Sequence, residues 1–266
     1  MEKNRKKRNF IARFFCAIGT GIKNFFLYLG FLLIYISVNP FVKCKVRGKK
    51  NVRKDDEARV FVTNHYEIFG PIATYLRFPY KFRPWIIDKI MTPESVEAQM
   101  SVGIYNNFPK YPRWLKTIVI KALKNLMVFT MRHAKGIPVS RENIRENVKT
   151  MQISAETLDK GISILIFPEL SYVKSGVGKF QNGFAHLGQY YYQKTGKKIT
   201  FYPVFISEQN GEMYIEEPTV FDPDNDKNDE KNRLTTYLRE KMVDSYVKNE
   251  CGRPYKKAKK LKVKRK

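Results

Sequence analysis

The stretch Val60-Phe61-Val62-Thr63-Asn64-His65-Tyr66-Glu67-Ile68-Phe69-Gly70-Pro71 runs from an apolar, β-branched segment through an Asn-His pair to a Gly-Pro step. Its first part reads as a strand over 59–64, because β-branched and aromatic side chains suit a pleated, buried surface. Proline suits the first helical position through its fixed φ, and Gly70 before it serves as an N-cap, which predicts a short helix over 71–78. His65 is thereby placed at the carboxyl end of a strand, where α/β scaffolds carry their chemistry.

Outward from this stretch the same alternation of strand and helix continues. Upstream, Val42, Cys44 and Val46 alternate with Lys43, Lys45 and Arg47 as in a half-buried strand ended by Gly48. Downstream, residues 83–88 read as a strand, and a weakly patterned region follows. Residues 114–131 form an apolar helix studded with Lys116, Lys121 and Lys124 and followed by Arg132, which suits either a core or a lipid surface. Residues 136–141 read as a strand end. Ile144, Val148, Met151, Ala155 and Leu158 recur at helical spacing in a helix from Glu142 that Gly161 caps. The run 162–167, apolar but for Ser163, suits a central strand buried on both faces. Asn182-Gly183 opens a helix over 184–193, and 199–206 is a further strand. Strands alternating with helices imply an α/β fold, a mainly parallel sheet flanked by helices.

The chain has 266 residues, with 50 Lys and Arg against 25 Asp and Glu, a net charge of +25 that calls for an anionic partner. Its cysteines, Cys16, Cys44 and Cys251, are far apart and suggest neither a disulfide framework nor a zinc site. A basic start over 1–8 precedes a mostly apolar, aromatic segment over 10–38, and Lys43, Lys45, Arg47, Lys49 and Lys50 follow it. Its continuous part, 25–38, is short of the roughly 20 residues that a spanning helix needs. No small-residue cleavage site follows Val38, so the segment does not read as a signal peptide. It reads as an N-terminal membrane-associated helical segment lying in the inner leaflet, with a single-span anchor as the alternative. The expected organisation is thus 1–41 basic start and membrane-associated segment, 42–221 α/β domain, 222–252 polar linker and amphipathic helix, and 253–266 basic tail.

Four segments stand in order: Asn64-His65, Gly136-Ile137-Pro138-Val139-Ser140-Arg141, Phe167-Pro168-Glu169 and Tyr202-Pro203-Val204, with Lys179-Phe180-Gln181-Asn182-Gly183 after the third. Together they resemble the glycerolipid acyltransferases of the lysophosphatidic acid acyltransferase type, over roughly residues 42–206. That family pairs the His with an Asp five residues on, where this chain has Gly70, and continues its Phe-Pro-Glu with Gly-Thr-Arg, where this chain has Leu170, Ser171 and Tyr172.

The resemblance implies a membrane-associated enzyme of phospholipid biosynthesis, on the cytosolic face of the cell membrane, that moves a fatty acyl group from acyl carrier protein or coenzyme A to a lysophospholipid. A homologue that binds lipid without turnover is the alternative. His65 would be the general base, with Glu67 a partial substitute for the absent Asp. Asn64, Gly70, Arg141, Glu169, Lys174 and Lys179 would surround the acceptor, with Arg141 holding phosphate as a fork and Glu169 orienting the loop or an Arg. No metal and no bound cofactor are implied, the thioester being a cosubstrate, and the partners are anionic membrane lipids. Nucleic acid is not expected, since the basic residues flank an apolar segment and form a tail. His133 and His186 read as structural.

Overall fold

The computed structural model describes residues 42–56, 58–66, 69–88, 92–107, 111–140, 143–170, 176–207 and 209–251, with parts of 25–40. The basic stretches 1–8 and 253–266 lie outside these residues. Eight strands share one sheet: β1 (Lys45–Arg47), β2 (Arg59–Thr63), β3 (Phe82–Ile87), β4 (Ile137–Val139), β5 (Ser163–Ile166), β6 (Thr200–Ser207), β7 (Glu212–Ile215) and β8 (Thr219–Val220). The order is β1-β7-β6-β2-β5-β3-β4, and β8 pairs with β6 beyond this path. The helices are α1 (Phe69–Arg77), α2 (Pro93–Asn107), α3 (Arg113–His133), α4 (Ile144–Asp159), α5 (His186–Thr195) and α6 (Lys227–Tyr246).

The centre is parallel, as the sequence implies. β2 lies between β5 and β6 and runs parallel to both, with Phe61 opposite Leu165 on one side and Tyr202 on the other. The sheet becomes antiparallel only where β7 and β8 pair with β6. Period-two alternation sends Val60, Val62, Ile164, Ile166, Phe201 and Phe205 into one core. There they meet Ala155 and Leu158 of α4, Leu187 and Tyr191 of α5, and Leu234, Leu238 and Met242 of α6. On the other face Phe61 stacks on Tyr80 and meets Phe78 and Tyr202.

The structure divides into two compact units, Val42–Trp85 with Ile137–Lys266, which holds most of the sheet, and Met1–Phe41 with Ile86–Gly136, whose described residues are mostly helical. In the helical unit α2 and α3 are joined by an ion pair between Lys124 and Glu97, and Val96, Ile120 and Val128 are buried. The described residues of 25–36 are helical, and Phe25, Phe26, Leu33 and Ile36 are exposed. Among the described residues no helix is long and apolar enough to cross a membrane.

Several boundaries differ from the sequence reading. Helix α1 begins at Phe69, so Gly70 is its second residue and Pro71 its third. The proline is tolerated there because the first four helical N–H groups lack an intrahelical partner anyway. The weakly patterned region contains α2. The polar stretch 222–232 carries the first turns of α6, which Asp226 caps by accepting from the N–H of Asn228 at 2.8 Å and of Asp229 at 3.3 Å. Helix α4 starts at Ile144, after Asn143 caps the Arg145 N–H, rather than at Glu142.

Candidate active site

Because β5, β2 and β6 are parallel and in register, their carboxyl ends meet at one edge of the sheet. This edge carries Asn64-His65 after β2 and Phe167-Pro168-Glu169 after β5. Such an edge is where open α/β sheets place their ligands.

Asn64 is fully buried, and both ends of its amide are hydrogen-bonded. Its Nδ2 donates to the Ile206 carbonyl at 3.0 Å, and its Oδ1 accepts from the Ile206 N–H at 2.7 Å. The side chain continues the β2–β6 pairing for one more rung and fixes where His65 begins. Asn64 thus reaches the site as a positioning residue, through the backbone it holds.

Glu169 performs the matching task from β5. Its Oε2 accepts from the His65 backbone N–H at 2.7 Å and its Oε1 from the Gly178 N–H at 2.7 Å. Burial pushes this carboxyl above its usual value, and the two backbone donors pull it partly back. Around it the loop closes as a small antiparallel clasp. Glu169 bridges to Phe180, the Leu170 N–H donates to the Lys179 carbonyl at 2.9 Å, and the Gln181 N–H donates to the Pro168 carbonyl at 2.8 Å. The clasp is tied to α6 by Arg239, whose Nε donates to the Gly178 carbonyl at 3.0 Å. Lys179 is exposed on the clasp.

The His65 ring packs against Phe167, with centroids 5.1 Å apart. Tyr66, immediately after it, is buried at a φ of 41°, a left-handed conformation that non-glycine residues rarely adopt. Such strain concentrates where a turn must aim a side chain. A Cβ added at Gly70 would lie 2.1 Å from the His65 carbonyl oxygen and 3.2 Å from that of Asn64. Position 70 therefore has no room for any side chain in this backbone, and Gly70 shapes the turn rather than merely lacking an Asp.

Thus Asn64, His65, Gly70, Glu169 and Lys179 fall on two neighbouring turns. Glu67, Arg141 and Lys174 lie outside the described residues; the nearest described neighbour of Arg141, Ser140, is buried at the end of β4 and accepts from the Asn143 N–H at 3.2 Å. Sequence reasoning missed the part played by Gly178, Arg239 and the Asn64–Ile206 rung. It also missed the Tyr202 phenol, which donates to Asp56 and accepts from the Arg53 N–H at 3.0 Å. Burial first, then Asp56, raises that phenol far above its usual value, so it is a structural tie at the amino-terminal side of β6. His186 lies away from the two turns, lining a cleft with Gln189, Tyr192, Phe221 and Lys227. Among the described residues no three His, Cys, Asp or Glu side chains converge as metal ligands would.

The model of the Acyltransferase family matches residues 101–207, which hold the second, third and fourth of the four segments. The resemblance is borne out at the level of the family over these residues. Among solved structures it is similar to the 1-acyl-sn-glycerophosphate (LPA) acyltransferase PlsC of Thermotoga maritima, at 14% identity and a TM-score of 0.43, over 80% of this chain and 79% of that one. No curated protein matches the chain. The family match starts after His65, so the placement of that residue rests on the geometry alone.

Proposed function

We propose that the protein is a membrane-associated O-acyltransferase that moves a fatty acyl group from acyl carrier protein or coenzyme A to the free hydroxyl of a lysophosphatidate-like acceptor, on the cytosolic face of the cell membrane. The observation that carries this reading is the clasp. The third segment's Glu169 holds the backbone of His65, the residue the family pattern makes the base, at the carboxyl edge of a parallel sheet. In this reading the His65 imidazole takes the acceptor's hydroxyl proton as the oxygen attacks the thioester carbonyl. The tetrahedral adduct then expels the thiolate, which recovers the proton from the imidazolium. Arg141, Lys174 and Lys179 are the cations proposed to hold the acceptor's phosphate, and Glu67 the carboxylate proposed to orient the imidazole. The reaction invokes no metal and no bound cofactor.

The test is transfer of a radiolabelled acyl chain from each donor to a panel of lysolipids by purified protein in detergent. His65→Ala should lower the rate by about 10²–10⁴-fold. A second reading, a homologue that binds lipid without turnover, is favoured by the turn at Gly70, which leaves no space for the family's Asp. Lysolipid binding with no transfer from either donor, unchanged by His65→Ala, selects that reading.

A further inference from the structure

The start of α3 presents an apolar face to solvent. Trp114 is 65% exposed, Ile118 57% and Tyr111 57%. Trp114 and Ile118 are four residues apart and share a face of the helix, and Tyr111 lies just before the helix begins at Arg113. Single exposed apolar residues are ordinary, but Tyr111, Trp114 and Ile118 together make an exposed apolar patch. Arg113 and Lys121, both exposed, flank it.

We propose that this face of α3 rests on the surface of an anionic bilayer, as a membrane contact separate from the 10–38 segment. Tryptophan and tyrosine combine an apolar ring with a polar edge and settle at the headgroup level, while Arg and Lys stems lie along the apolar boundary with their charges in the headgroups. The helix is 21 residues long but carries Lys116, Lys121 and Lys124 along its length, so it suits lying on a membrane and not crossing one. Charge selects lipid over a second copy of the chain. At a net +25 two copies repel, and the cations beside Trp114 would face cations, whereas anionic headgroups neutralise them. The inference rests on exposure and charge, and stands or falls independently of acyl transfer.

Trp85 and Trp114 are the chain's only tryptophans, and Trp85 is held in the sheet unit by its Nε1 bond to Ser154 at 2.9 Å. Emission of the full chain minus that of Trp114→Phe therefore reports Trp114 alone. With vesicles of phosphatidylcholine and phosphatidylglycerol, this difference emission should shift to the blue and be quenched by brominated acyl chains. Trp114→Ala with Ile118→Ala should weaken co-sedimentation with these vesicles by about tenfold. Lys121→Glu should weaken it by about tenfold on the anionic vesicles and much less on phosphatidylcholine alone. Vesicle binding that leaves Trp114 emission unmoved overturns the proposal, because the 10–38 segment then acts alone. A blue shift that grows with protein concentration without vesicles overturns it in favour of self-association, and the absence of vesicle binding overturns it outright. Trp114 is exposed, so its replacement leaves no cavity, and circular dichroism of the variants checks that the fold is retained.

Discussion

The sheet unit and the helical unit draw on the same apolar residues and place them oppositely. In the sheet unit Leu234, Leu238 and Met242 are fully buried among β-strand side chains. In the helical unit Phe25, Phe26, Leu33 and Ile36, and then Trp114 and Ile118, face outward. Water drives the first arrangement and opposes the second, so the first buries its apolar side chains and the second leaves them in water. An enzyme acting on a lysolipid would need both: a rigid edge of sheet to hold a base, and a surface that stays with the lipid.

The comparison is broken most sharply in the sheet unit's core. Leu238→Ala should cost about 2–5 kcal/mol in urea unfolding, since it leaves a cavity between α6 and the sheet. A cost below about 1 kcal/mol would mean that α6 is not part of the cooperative core.

Gly70→Asp tests the turn that the sheet presents. The inserted Cβ would meet the His65 carbonyl oxygen at 2.1 Å, so the backbone must move. The expected cost is about 3 kcal/mol, together with loss of transfer, although the substitution restores the family's residue. Raised activity would show that the turn is plastic and that the site is a degraded version of the family's.

Glu169→Gln probes the clasp more gently. The amide keeps one acceptor but turns its NH₂ toward a backbone N–H, at a cost of about 2 kcal/mol. Burial raises the Glu169 carboxyl in the folded state above its unfolded value. The stability this group contributes is therefore fully present below the ordinary carboxylate value and is lost as pH rises through the raised one. Urea unfolding from about pH 4 to 7 should show that decline in the natural chain and its absence in Glu169→Gln. Identical pH profiles would remove Glu169 as the source.

The parallel centre of the fold was legible because 60–62 and 164–166 are apolar on both faces, and only a doubly covered strand tolerates that. The place of Glu169 at the end of a buried strand was legible. Its partners were not, because His65 lies 104 residues away and Gly178 offers only a backbone N–H, which no side-chain pattern marks. The Asn64–Ile206 rung spans 142 residues and is hidden for the same reason. The first turns of α6 read as a linker because Glu230, a charged residue, is buried there. Its carboxylate is taken up by Arg233, by Asn225 and by the Asp222 N–H, pairings that periodicity does not reveal. Helix α2 lacks a clear apolar stripe, so its spacing gave no helical signal.

The smallest expected effect on stability is also the most informative about the helical unit. Leu33 is 57% exposed, so Leu33→Ala removes little area that folding has taken from water and should change urea stability by less than about 0.5 kcal/mol. Were the side chain to enter a bilayer, the same change would remove apolar area from the lipid-bound state, and affinity for anionic vesicles should fall by roughly five- to tenfold. The two readouts thus move in opposite proportion to those of Leu238→Ala, which should unfold the sheet unit and leave the vesicle contact of the folded fraction unchanged. If Leu33→Ala instead costs as much stability as Leu238→Ala with no change in vesicle affinity, the 25–36 segment is covered by protein in solution. The outward-facing character of the helical unit would then belong to an interface within or between chains and not to lipid.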